Sequence, residues 1–173
     1  VSSAVKAAKY VIAQINPKMP RTNGHSFVHL NQIHAWINVA QDLPQIIPPE
    51  FDKRTEQIGQ YVAMLVENES TLQIGIGKIP EAVLRYLANH KDLGIHSEMI
   101  SDGIIELMLK GVINNRKKTF HKGKAVVTYC VGSQKVYDFV DGNPHIEFYP
   151  SEHVNSPVKI ARNDKMVSIN SAI

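Results

Sequence analysis

The sequence predicts an α/β protein with a mainly parallel sheet flanked by helices, and three observations carry that reading. From Phe51 onward, apolar runs of strand length alternate with segments whose apolar residues recur at helical spacing. The connections between the runs are long enough for helical crossovers, which parallel strands require and hairpins do not. Turn-forming residues separate the segments, above all at Gly75 to Pro80, at Gly111 and at Val131 to Gln134.

Taken in order, Ser2 or Ser3 caps a short helix to about Ala8, and Tyr10 to Ile15 is an apolar run of strand length. Pro17, Pro20 and Gly24 make Asn16 to Gly24 an irregular loop, and Phe27 to Ala40 reads as strand, turn, strand. Pro44, Pro48 and Pro49 exclude helix and central strand from Leu43 to Glu50, which reads as a linker. Ile58, Tyr61, Val62, Leu65 and Val66 predict an amphipathic helix over Phe51 to Asn68. Thr71 to Ile76 is a strand, Pro80 to His90 a helix with proline at its first position, and Leu93 to Ile95 a short strand. Asp102 or Ser101 caps a helix to about Leu109, stopped by Gly111. Strand Ala125 to Val131, helix Ser133 to Val140, and strands His145 to Tyr149 and Met166 to Ile169 complete the alternation.

Composition narrows the function classes. At 173 residues, with 43% hydrophobic and 20% charged residues, the chain has the core of an ordinary domain and needs no disulfide or metal staple. The net charge is +3, and the densest basic group, Arg116 to Lys118 with His121, Lys122 and Lys124, reads as a solvated loop or a weak anion site. Only Phe120 interleaves it, so nucleic acid is not expected as a partner. Cys130 is the single cysteine, which excludes an internal disulfide and Cys-pair zinc sites and suits a reducing, cytoplasmic setting. No metal is expected, and no run is long and apolar enough for a membrane span. The chain begins without Met and ends inside an apolar run, so both ends read as cut.

Two constellations carry chemistry. Ile74-Gly75-Ile76-Gly77-Lys78-Ile79-Pro80 leaves a strand and enters a helix, so its backbone can approach a ligand closely. Pro80 replaces the third glycine of the dinucleotide fingerprint, and there is no Gly-Lys-Ser/Thr; a turn that only packs helix on sheet remains the alternative. In Gly94-Ile95-His96-Ser97-Glu98-Met99, Glu98 interrupts an apolar setting at a strand end, as a catalytic carboxylate, a paired one or an exposed one. His96 and Glu98, two apart on extended backbone, are expected on one face. His25, His29 and His34 define no metal geometry, Ser133 has no triad partners, and Asp102 reads as a helix cap. Asn170, ending an apolar strand, reads as a buried amide in need of partners.

The strings Asn16 to Thr22, Gly75 to Val83, Leu93 to Met99, Tyr137 to Val140 and Asn163 to Ser171 together resemble the acetyl-CoA hydrolase/transferase family. The resemblance implies two related α/β domains: 1–42 the end of the first, 43–50 the linker, and 51–173 most of the second, truncated at its C-terminal end. It implies an acyl-CoA:carboxylate CoA-transferase of the acetate or 4-hydroxybutyrate type. Glu98 would form a glutamyl-CoA thioester, and Gly75, Ile76, Gly77, Lys78 and Ile79, with Asn170 as a weaker carry-over, would hold coenzyme A. An acetyl-CoA hydrolase on the same site and an inactive CoA-binding fragment are the alternatives. The partners implied are acyl-CoA and a small carboxylic acid, with homo-oligomerisation left open. The chain departs from the family at Asn23 and His25, where His and Asp are usual, and it lacks the family's later glycine-rich segment.

Overall fold

The computed structural model of the chain describes residues 1–47 and 49–171, so Pro48 of the linker and the last two positions lie outside it. Helix α1 spans Ser2–Ala7, and strands β1 (Ile12–Ile15), β2 (Asn23–Gly24) and β3 (Ala35–Asn38) follow. Then come α2 (Lys53–Ala63), β4 (Thr71–Ile74), α3 (Lys78–Tyr86), β5 (Gly94–Ile95), β6 (Met99–Ile100) and α4 (Asp102–Leu109). The rest is β7 (Ala125–Val127), β8 (Tyr129–Cys130), α5 (Gln134–Val140), β9 (Ile146–Phe148), α6 (Ser151–Val154), α7 (Pro157–Ile160) and β10 (Met166–Ile169).

Every strand pair is parallel. Two three-stranded sheets, β10-β4-β5 and β2-β9-β7, meet through a bridge between His96 and Val126, and β6 pairs with β8 further along the same two segments. Parallel strands need both faces covered, and Leu72, Ile95, Val126 and Ile146 are accordingly all essentially inaccessible. Helices α3 and α4 contribute Val83, Leu84, Ile104 and Leu107 to the same core, and Leu87 joins them from the C-cap of α3. Burying each such side chain stabilises the fold by about 1.5–3 kcal/mol.

Several elements depart from the expected pattern for local reasons. The helix after the linker stops at Ala63, short of Asn68, leaving Met64 and Leu65 exposed. Helix α3 starts at Lys78 with Gly77 as its N-cap, so Pro80 is its third residue; an N–H missing from the first turn costs no internal bond. Phe27 to Ala40 holds one strand, β3, preceded by a 3₁₀ turn at Leu30–Gln32 that His29 caps through Nδ1. Within the expected loop, Asn23–Gly24 pairs with β9 instead of staying irregular. Ala125 to Val131 breaks at Thr128 into β7 and β8, and the short helices α6 and α7 carried no hydrophobic period to betray them.

Among the described residues, strands β1 and β3 pair only with each other, and they expose Ile12, Ile15, Trp36 and Ile37. The proline-rich segment is fastened to the larger unit: Tyr137 donates to the Pro44 carbonyl at 2.5 Å, and the Ile46 amide donates to Gly132 at 3.0 Å.

Helix α2 lies so close on α3 that a Cβ at Gly59 would sit 3.0 Å from the Ala82 backbone. Gly59→Val is expected to destabilise the protein by about 1–3 kcal/mol through overpacking. A lowered denaturant midpoint with unchanged slope would register this, and an unshifted midpoint would contradict the contact.

Candidate active site

Successive strand-to-helix turns meet at the carboxyl ends of the strands, where open parallel sheets bind ligands. The turns after β4, β6 and β8 line one cleft of about 250 Å³: Ile76 to Lys78 from the first, Ser101 and Asp102 from the second, Val131 and Gly132 from the third. Ile46, Ile47 and Pro49 of the proline-rich segment close its side. A larger cleft of about 630 Å³ opens nearby between the N-terminal region and Tyr129, Cys130, Phe148 and Tyr149.

The glycine turn is shaped by β10. The Gly75 amide donates to the Ile169 carbonyl at 2.8 Å, and a Cβ on Gly75 would collide with Asn170 Oδ1. Gly77 has φ +135°, a conformation L side chains rarely adopt, and faces Ser171 Oγ. Gly75, Gly77 and Asn170 are thus brought together. Asn170 is exposed, contrary to the buried amide expected from its strand; its Nδ2 donates to Ser168 Oγ at 3.3 Å. Ile76 is exposed, and Lys78 and Ile79 belong to the first turn of α3.

Glu98 owes its position to a slip in the sheet. The Ser97 amide donates to the Val126 carbonyl at 3.0 Å, and a regular parallel ladder would next send the Thr128 amide to the Ser97 carbonyl. Both Thr128 and Tyr129 donate instead to the Glu98 carbonyl, at 2.8 and 3.1 Å. One residue is thereby inserted, as in a β-bulge, and the alternation of faces fails. His96 and Glu98 consequently do not share a face: His96 is fully buried and Glu98 is exposed. Ser97 is also fully buried; its hydroxyl donates to the Ile74 carbonyl at 2.9 Å and accepts from the Ile74 amide at 3.0 Å. That pair of bonds ties the Glu98 segment to the residue just before Gly75.

Helix α6 and its exit reach the same segment. His96 Nε2 lies 2.9 Å from the Val154 carbonyl, which requires the proton on Nε2, and Asn155 Nδ2 donates to Glu98 Oε2 at 3.2 Å. Burial pushes His96 down to about 4, with Lys118, His153 and His121 adding positive charge nearby, so the ring is neutral at pH 7. Burial pushes the Glu81 carboxyl, which also lines the cleft, above the usual carboxylate range, and Asp102 and Glu106 reinforce this. Asp102 is not the cap of its own helix. Ser101 holds that position, and the Asp102 carboxylate accepts from the amide and the hydroxyl of Ser133 across the cleft.

The basic group lies elsewhere. Lys117 pairs with Glu69 at 3.1 Å, before the start of β4, and Lys118 is buried. Among the described residues no cluster of three or more His, Cys, Asp or Glu could hold a metal ion, and no helix is long and apolar enough to cross a membrane.

Residues 132–173 match the acetyl-CoA hydrolase/transferase C-terminal domain. Over 98% of its length the chain is 51% identical to 4-hydroxybutyrate coenzyme A transferase of Clostridium kluyveri, of which it covers 40%. It is 42% identical to succinyl-CoA:cyclohexane-1-carboxylate CoA transferase of Geobacter metallireducens, covering 98% of this chain and 39% of that one. The crystal structure of a 4-hydroxybutyrate CoA-transferase from Porphyromonas gingivalis superposes with a TM-score of 0.93 at 43% identity, over 98% of this chain and 43% of that one. Residues 132–173 are thus similar to the C-terminal domain of the acetyl-CoA hydrolase/transferase family, and the relatives matched across nearly the whole chain are named as CoA-transferases. The chain spans 40% of the Clostridium kluyveri protein's length.

Sequence reasoning missed Asn155 and the part played by Ser97. Asn155 sits in a stretch without periodicity, 57 residues from the carboxylate it touches. Ser97 shows only as a small polar residue between His and Glu.

Because His96 is neutral when buried and ordinary when unfolded, its folded affinity for protons is the lower one. Stability is therefore present in full above pH 6.5 and is lost as pH falls through about 4. In the full-length protein His96→Gln is expected to remove part of the acid-side loss, which for a single such group is on the order of 3 kcal/mol. Denaturant unfolding at pH 7.5 and pH 4.5 measures it; an unchanged difference between the two pH values would refute the assignment.

Proposed function

We propose that this chain supplies the nucleophile and part of the coenzyme A site of an acyl-CoA:carboxylate CoA-transferase, using acetate or 4-hydroxybutyrate as the small acid. The observation that carries the reading is the double hydrogen bond of Ser97 to Ile74, which ties the segment carrying the exposed Glu98 to the strand end that enters the glycine turn. Glu98 is the nucleophile. Gly75, Ile76, Gly77, Lys78 and Ile79 hold coenzyme A, with Asn170 bracing the turn from behind. Residues 1–42 are the end of a first domain, in keeping with the exposed apolar faces of β1 and β3, and 51–173 are most of the second. The lone Cys130 suits the reducing cytoplasm.

The residues fit a thioester ligand. A backbone without Cβ atoms at Gly75 and Gly77 allows the close approach a long, thin pantetheine arm needs. A Glu98 carboxylate oxygen attacks the acyl carbonyl carbon, the C–S bond breaks, and a mixed anhydride and the CoA thiolate result. The thiolate then attacks the Glu98 carbonyl carbon, releasing the first acid as its carboxylate and leaving a glutamyl thioester. The acceptor carboxylate repeats these steps in reverse, so no net proton is gained or lost. Each tetrahedral intermediate carries an oxyanion, and one preorganised amide or side-chain donor is worth about 3 kcal/mol to it. Asn155, already on Oε2, keeps the carboxylate from rotating freely. Binding energy from the remote nucleotide end of CoA holds the reacting atoms together.

Incubating the full-length protein with acyl-CoA, trapping with hydroxylamine or borohydride and mapping peptides by mass is expected to place the modification on Glu98. Glu98→Gln keeps the shape but removes the nucleophilic oxygen, so transfer should fall by about 10³-fold or more with little change in folding. A label on another carboxylate, or normal turnover in this variant, would overturn the mechanism, and turnover that needs no acceptor acid would reassign the activity to hydrolysis. Gly77→Val, forced into φ +135°, is expected to weaken acyl-CoA binding about tenfold by calorimetry. Unchanged affinity would return the turn to a packing role.

A further inference from the structure

The segment that leads to Glu98 changes neighbours at its start, and two buried polar side chains fill the join. In β5 the amides of Gly94 and His96 donate to β4, at Ser70 and Leu72, so the N–H and C=O of Ile95 face the other side. On that side Leu93 is paired with the backbone of Val112 to Asn115, and the bridge between His96 and Val126 brings in β7 only from Ile95 onward, so Ile95 sits where one neighbour gives way to the next. The Ile95 amide donates to Asn115 Oδ1 at 2.8 Å, and its carbonyl accepts from Lys118 Nζ at 2.6 Å. Lys118 Nζ also donates to the Lys124 carbonyl at 2.7 Å, just before β7 begins.

The surroundings are built for this arrangement. Asn115 and Lys118 are 1% and 2% exposed, a rare degree of burial for a lysine with no carboxylate in contact. Asn115 has φ +60°, a left-handed conformation asparagine tolerates better than most residues. A side chain at Gly94 would meet the Lys118 stem at 2.5 Å from Cγ and 2.9 Å from Cδ, so glycine there leaves the lysine its path.

We propose that Lys118 and Asn115 are positioning residues for Glu98: they complete the sheet around Ile95 and so fix the segment whose end presents the carboxylate. The proposal rests on the reading of Glu98 as nucleophile. The charged and titratable groups around Lys118 are Glu147 from β9, His96 and His121. Burial pushes Lys118 down to about 7, and a neutral amine still has two N–H groups for its two carbonyl acceptors, so the clamp does not need the charge.

The test uses the full-length protein with Lys118→Met, Asn115→Gly and Asn115→Asp. Asn115→Gly removes the acceptor while relieving the positive φ, and Asn115→Asp retains it. For the first two, kcat for acyl transfer is expected to fall about tenfold with KM for acyl-CoA within about twofold. Amide hydrogen exchange should rise selectively over residues 93–99, and Asn115→Asp should restore most of kcat and of the protection. The inference is overturned if Lys118→Met and Asn115→Gly both keep wild-type kcat and wild-type exchange, or if exchange rises equally throughout the protein. Glu98→Gln, assayed alongside, separates the two readings. Normal turnover in that variant removes the catalytic part, while exchange over 93–99 still decides whether the two residues hold the strand.

Discussion

The arrangement of the site depends on the pair of hydrogen bonds between the Ser97 hydroxyl and the Ile74 backbone. Ile74 is the last residue of β4, and its own strand neighbour on the other side has already ended at Ile95, so its amide and carbonyl would otherwise be orphaned in the core. A buried, unpaired peptide group costs about 1–3 kcal/mol. Ser97 satisfies both groups at once, which it can do only by turning its side chain inward. The chain accommodates this by slipping one residue against β7 and β8, and the slip turns Glu98 out to solvent. Inward Ser97 and outward Glu98 are two sides of a single constraint.

Packing around that point then limits what the turns can do. Asp102, spent on the amide and hydroxyl of Ser133, holds the start of α5 against the start of α4, which keeps the turns after β6 and β8 on one cleft wall. Glu81, one turn into α3, adds a carboxyl whose hold on its proton is raised by burial. Neutral His96 acts from behind, by holding Val154 and with it Asn155 within reach of Glu98.

Much of this was legible in the residues. Alternating apolar runs and helical periods identified β4, α3, α4, α5 and β10 to within a few residues, because those elements bury regular faces in one core. The turns worth inspecting followed from the parallel order alone, since crossover connections collect the strand ends on one side. The failures have specific causes. Asp102 was read as a cap because acidic residues at helix starts usually are, yet a tertiary partner, Ser133, outcompeted the local amides. Asn170 was read as buried from its neighbours, but β10 ends one residue earlier and releases it. The run Lys117 to Lys118 looked like one basic patch and contains one exposed ion pair and one buried structural lysine.

By itself the sequence determined the α/β class and the glycine turn and singled out Glu98 as a candidate, because periodicity, missing side chains and a charge among apolar residues are local properties. Only the tertiary structure decided which way that carboxylate points. Strand alternation predicted His96 and Glu98 on one face, and it was overruled by a bulge whose cause, the unpaired backbone of Ile74, lies 23 residues away in sequence. The same holds for Asn155 and Lys118, whose roles rest on backbone groups and oxygens that long-range folding brings to them. Side-chain type and spacing write the local pattern, whereas unsatisfied peptide groups are created only when strands end beside one another, and it is these that positioned the site.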